Sequence, residues 1–80
     1  MAEKETYKQR YTCGQHVSGR GRQIATRTGQ PVPQRLQQEL VIERGVIVML
    51  PSKHREPYTV LDEQTFIVLE AQEEHLTPLP

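Results

Sequence analysis

The chain has 80 residues, a formal net charge of zero and 35% hydrophobic residues, with one cysteine, no tryptophan and a single phenylalanine. That length allows one domain, 1–80, burying only about 60–65% of its unfolded surface for a stability of about 4–10 kcal/mol. One cysteine excludes an intramolecular disulfide framework, and no run approaches a membrane span of ~20 apolar residues. The opening MAEKETYKQR lacks the apolar stretch of a signal peptide, so the expected compartment is the cytoplasm.

In chain order, residues 1–6 read as a mobile tail, and KQRYTC (8–13) is a first, weak strand candidate. SGRGRQ (18–23) reads as a flexible, glycine-jointed basic loop. RQIATRT (22–28) alternates Gln23, Ala25 and Arg27 against Ile24 and Thr26, a second strand candidate. TGQPVPQ (28–34) is extended and polyproline-like, closer to a linker or docking segment than to a strand. Over 34–45, QRLQQELVIERG has two readings: a helix begun at Pro33, with Leu36 and Leu40 on one face and Gly45 ending it, or a short helical turn or coil near 34–38 and a strand near 39–43. The latter is favoured because Val41 and Ile42 suit a sheet. Gly45 would then turn the chain as a hairpin.

VIVML (46–50), bounded by Gly45 and Pro51, is an apolar, partly β-branched run that predicts a buried strand. PSKHREP (51–57) is a polar loop, YTVL (58–61) alternates like a half-buried strand, and Asp62-Glu63-Gln64 connects tightly to TFIVLE (65–70). Short polar connections join neighbours, so these three strands predict an antiparallel meander. AQEEHLTPLP reads as a polar turn followed by a mobile tail over 76–80. The fold expected is therefore mainly β: a small, partly closed antiparallel barrel or bent sheet of five to six short strands. Its N-terminal third, poor in aliphatic residues, is expected to be loosely attached.

Several residues could carry chemistry. Cys13-x-x-His16 has the spacing of half a zinc site, but no second close pair exists, and His54 and His75 are isolated. The same pair has no recognisable orienting group or oxyanion device for nucleophilic catalysis. No metal, cofactor or enzymatic activity is expected. Glycines with arginines suit anions better: Arg20 and Arg22, with Arg10 and Arg27 on the flanking segments, offer fork-shaped donors to phosphate or carboxylate. The segment nevertheless lacks the Lys-Ser/Thr ending of a phosphate loop, and only Tyr7 and Tyr11 are near enough in sequence to stack on bases.

Charge is unevenly divided. Residues 1–40 hold seven basic against three acidic side chains, a balance of +4; residues 41–80 hold three against seven, a balance of −4. Such separation steers an acidic partner to the first half, or holds the halves together within the fold or between subunits. The run of Gly45 with VIVMLP, YTVLDE and FIVLE resembles the texture of the co-chaperonin barrel. That family's N-terminal strand and apolar mobile-loop tripeptide have no counterpart here, and no family is assigned.

The function expected is binding: a small regulatory or accessory protein of bacterial or phage type that docks on a larger protein assembly and self-associates. The alternative is a nucleic-acid-binding β-barrel using Arg10, Arg20, Arg22 and Arg27.

Overall fold

The computed structural model describes residues 9–53 and 55–80. Its strands are β1 (His16–Ala25), β2 (Glu39–Met49), β3 (Tyr58–Asp62), β4 (Val68–Ala71) and β5 (Leu76–Pro78). The first four close an antiparallel barrel and β5 lies outside it, paired to β1. The expected mainly-β barrel is therefore the fold. Helix among the described residues is confined to 3-10 turns at Gln34–Leu36, within the expected turn, and Glu73–His75.

The meander runs as expected through β2, β3 and β4, with Val60 opposite both Ile47 and Leu69. Closure depends on β1. One of its edges pairs with β2 from His16 to Arg22; the other is shared by β5 over Val17–Gly19 and by β4 over Arg22–Ala25. The expectation of a loosely attached N-terminal third is thus overturned: β1 pairs with every strand except β3. Its weak apolar pattern has a physical cause, since neighbours fill the inward space that its own side chains leave empty.

SGRGRQ, expected as a loop, is the middle of β1. Gly19 adopts φ +147°, and a Cβ there would fall on the carbonyl oxygen of His75. Only glycine lets the turn before β5 approach that closely.

Gly45 turns no hairpin either; it lies inside the continuous β2. The register steps from Gly19 opposite Ile42 to Val17 opposite Gly45, three positions on β2 against two on β1. The extra residue is a bulge that bends β2 around the barrel. At the bend a Cβ on Gly45 would stand 2.6 Å from Val60 Cγ1 and 2.9 Å from Ile42 Cγ2. The VIVML run is also only partly buried: Ile47 is in the core, while Val48 and Met49 face out.

The segment KQRYTC forms no strand over its described residues 9–13; Lys8 lies outside them. It is held instead by Tyr11, whose hydroxyl donates to the Leu76 carbonyl at 2.9 Å. RQIATRT is strand only as far as Ala25, and the following turn closes with Gly29 N–H on Thr26 O at 2.9 Å. TGQPVPQ folds back along β1, with Pro31 bridged to Ala25 and Val32 N–H donating to Ile24 O at 2.9 Å.

The β3–β4 connection is longer than expected, because Thr65 and Phe66 belong to the turn. The Asp62 carboxylate accepts from Thr65 N–H at 2.9 Å and Thr65 Oγ at 2.7 Å, and Phe66 takes φ +62°. Residues 76–78, expected within a mobile tail, form β5, and Leu76 is buried. The other expected tail, 1–6, lies outside the described residues. Every strand contributes to the core, from Val17 through Ile42, Tyr58 and Leu69 to Leu76, and Tyr11 joins them from the N-terminal arm.

Candidate docking surfaces

Alternation along β1 sends Gly21 inward and leaves Arg20 and Arg22 exposed. Two residues apart on one strand face, their Cα atoms are separated by about 6.8 Å. Arg10 and Arg27, also exposed, lie before and after the strand. The structure therefore brings two of the four sequence candidates onto one face and leaves the other two at its ends. Arg22 does not stand in a purely basic field, because the residues in register with it are Glu39 on β2 and Glu70 on β4. Arg22, Glu39 and Glu70 line a cleft of about 340 Å³ with Gln37, Gln72 and His75. Part of the charge asymmetry along the chain is thus brought together inside the fold.

Cys13 is exposed and free. His16 is engaged elsewhere: its Nε2 lies 3.3 Å from Glu63 Oε2, whose other oxygen is 3.2 Å from Arg44 Nε. The Cys-x-x-His spacing leads into an ion-pair node joining β1, β2 and the β3–β4 turn. Among the described residues no group of three or more His, Cys, Asp or Glu could hold a metal ion; His54 lies outside them. Of the two candidate stacking residues, Tyr11 is buried and Tyr7 lies outside the described residues.

The β2–β3 loop is shaped by one carboxylate. Glu56 Oε1 accepts from Ser52 Oγ at 3.0 Å, Ser52 N–H at 3.1 Å and Lys53 N–H at 3.2 Å. The Ser52 bonds, first that of its hydroxyl, hold the Glu56 carboxyl below its ordinary range. Lys53 and Arg55 project from this loop, exposed.

Sequence reasoning missed the apolar surface. Val48, Met49 and Leu50 are consecutive and 42%, 63% and 39% exposed, just ahead of the basic loop. The signal was present in VIVML itself: a strand hides only alternate residues on one face, so an unbroken apolar run leaves some outside unless both faces are covered. A second apolar feature is a cleft of about 240 Å³ between β2 and the β3–β4 turn, walled by Leu40 and Val41 on one side and Ile67 and Leu69 on the other. Cofactor-sized and drug-sized molecules occupy pockets from about 300 Å³ upward, so this cleft suits one or two side chains of a larger partner.

No family model matches the chain, and neither the curated proteins nor the solved structures contain a match. No helix among the described residues is long and apolar enough to cross a membrane.

Proposed function

We propose that this chain is a non-enzymatic docking protein that binds a larger protein assembly through the ridge Val48–Met49–Leu50 and the adjoining loop cations Lys53 and Arg55. The observation that carries the reading is a run of three consecutive residues, Val48, Met49 and Leu50, whose apolar side chains are all exposed. Scattered surface aliphatics are ordinary, whereas several exposed apolar residues in succession beside a charged rim fit the make-up of a contact surface. Methionine adapts its shape to a partner, which suits the most exposed position. A domain with so small a core also gains stability from any partner that binds only the folded state. Self-association is a second use of the same patch.

Nucleic-acid binding has less support. Arg22 lies between two carboxylates in register, and Tyr11 is packed inside.

The test is affinity capture followed by mass spectrometry, with native protein and with Met49→Glu/Leu50→Glu, whose fold is checked by circular dichroism. A protein retained by the native chain and lost by the folded variant supports the reading. If the two recover the same proteins, the ridge is not the docking surface.

A further inference from the structure

We infer that β2 carries a strand-addition site along residues 39–43, occupied by an extended partner segment that alternates aliphatic with lysine or arginine residues. The inference rests on reading the protein as a docking module and names a second, chemically distinct surface on it.

The edge of β2 that faces β3 is paired only from Gly45 onward. Over residues 39–42 the strand has β1 on one side and, among the described residues, no strand on the other. In an antiparallel strand, alternate residues direct their N–H and C=O groups to each edge, so this stretch presents donors and acceptors to an added strand. The gap is closed at one end, where Glu63 N–H donates to Arg44 O at 2.9 Å and Gln64 Nε2 donates to Glu43 Oε1 at 3.1 Å. From there toward Glu39 the edge is open.

Beside the open edge lies the 240 Å³ apolar cleft, with Leu40 on the β2 wall and Ile67 and Leu69 opposite. Main-chain pairing supplies affinity in strand addition, and pockets for alternate side chains supply selectivity. Inward-facing positions of the guest would meet Leu40, Ile67 and Leu69, so they are aliphatic.

Charge decides the outward positions. On this stretch Glu39, Val41 and Glu43 are exposed while Ile42 is buried. A strand added at this edge sits about 4.8 Å from β2 but about 9.6 Å from β1. The guest therefore meets Glu39 directly and, at the closed end, Glu43 with one oxygen held by Gln64, and it meets Arg20 and Arg22 only across an intervening strand. Opposite charges directly across a pair stabilise it and like charges destabilise it. Lysine or arginine belongs opposite these glutamates, and the apolar stem of the same residue type covers the exposed Val41 between them.

The test uses three short synthetic peptides: alternating valine and lysine, alternating valine and glutamate, and the lysine peptide N-methylated at alternate residues to block one hydrogen-bonding edge. Binding is followed by amide chemical shifts and hydrogen exchange on the full chain. The lysine peptide should slow exchange within residues 39–43 and bind about tenfold more tightly than the glutamate peptide. N-methylation should abolish protection while leaving charge unchanged. Glu39→Lys/Glu43→Lys should reverse the preference to the glutamate peptide, which separates altered recognition from loss of fold. Equal affinity for lysine and glutamate peptides, insensitivity to N-methylation, or shifts confined to other strands overturns the site. So does protection of 39–43 that grows with protein concentration alone, which would make a second copy the occupant. A chain that loses its captured protein on Met49→Glu/Leu50→Glu but ignores all three peptides keeps the docking function and loses this inference.

Discussion

Tyr11 stands edge-on to Tyr58, with ring centroids 5.4 Å apart and planes at 81°. The Tyr58 hydroxyl accepts from Arg10 N–H at 2.8 Å and Tyr11 N–H at 3.3 Å, and the Tyr11 hydroxyl passes on to Leu76 O at 2.9 Å. Two rings thereby tie the N-terminal arm to β3 and β5. Tyr58→Phe leaves two backbone donors without that acceptor and should cost about 1–3 kcal/mol in chemical denaturation. Tyr11→Phe leaves one carbonyl and should cost less. Burial, the largest influence, pushes the Tyr11 phenol up from its ordinary value. A raised value means the contribution is complete below about pH 10 and is lost as pH rises through the folded value. Absorbance titration should show a late-ionising component that Tyr11→Phe removes, together with release of β5; ionisation of Tyr11 in the ordinary tyrosine range would contradict its burial.

Glycine substitutions should separate two kinds of close approach. Gly19→Ala sets a methyl group against the His75 carbonyl in a positive-φ conformation, and neither constraint relaxes easily. A loss of about 2–4 kcal/mol is expected, with β5 amides exchanging first. Gly45→Ala meets the methyls of Val60 and Ile42, which can shift, so about 1–3 kcal/mol is expected. The reverse order would mean that β5 is not held as described.

The β3–β4 turn should respond in opposite directions at two positions. Asp62→Ala removes the acceptor of two Thr65 bonds and should destabilise by about 2 kcal/mol. Phe66→Gly should stabilise by about 1 kcal/mol, because Phe66 holds φ +62° with its ring largely exposed. Thermal melts of the two variants check the signs.

The loop beneath the apolar ridge should loosen in acid. Glu56 lies below its ordinary value, so its contribution is present above the usual glutamate value of about 4.3 and is lost as pH falls through the lower folded value. Carboxyl NMR should find Glu56 titrating below the exposed glutamates, and Glu56→Gln should abolish the accompanying shifts at Ser52 and Lys53. An ordinary titration would mean that the three donated bonds do not form.

Nucleic acid offers a direct check on β1. With Arg22 flanked by Glu39 and Glu70, binding to single strands at low salt should be weak and Arg20→Glu/Arg22→Glu should change it little. A steep salt dependence, with a log–log slope near −3 or beyond, would restore the alternative.

The meander was legible because VIVML, YTVL and TFIVLE carry their own apolar patterns between short polar connections. β1 was not. Its inward positions include Gly19 and Gly21, and a residue that packs by having no side chain leaves no mark in an apolar pattern. Gly45 was read as a turn because a bend inside a strand and a turn between strands both select glycine; only the register separates them. The arginines were legible as residues but their carboxylate neighbours were not, since Glu39 and Glu70 are distant from Arg22 in sequence. The apolar ridge was visible in composition and misread as core.

The sharing of one β1 edge by β4 and β5 also bears on the order of assembly. The hairpins of β2, β3 and β4 join near neighbours and can close early, whereas Val17 must wait for Pro78, about three quarters of the chain away. Loops that long close slowly and give no return until both ends are fixed. A nascent chain that has not yet released Leu76 has the strands of its barrel but leaves the Val17–Gly19 stretch of β1 without its outer partner, and that species, more than the finished fold, is the one prone to aggregate.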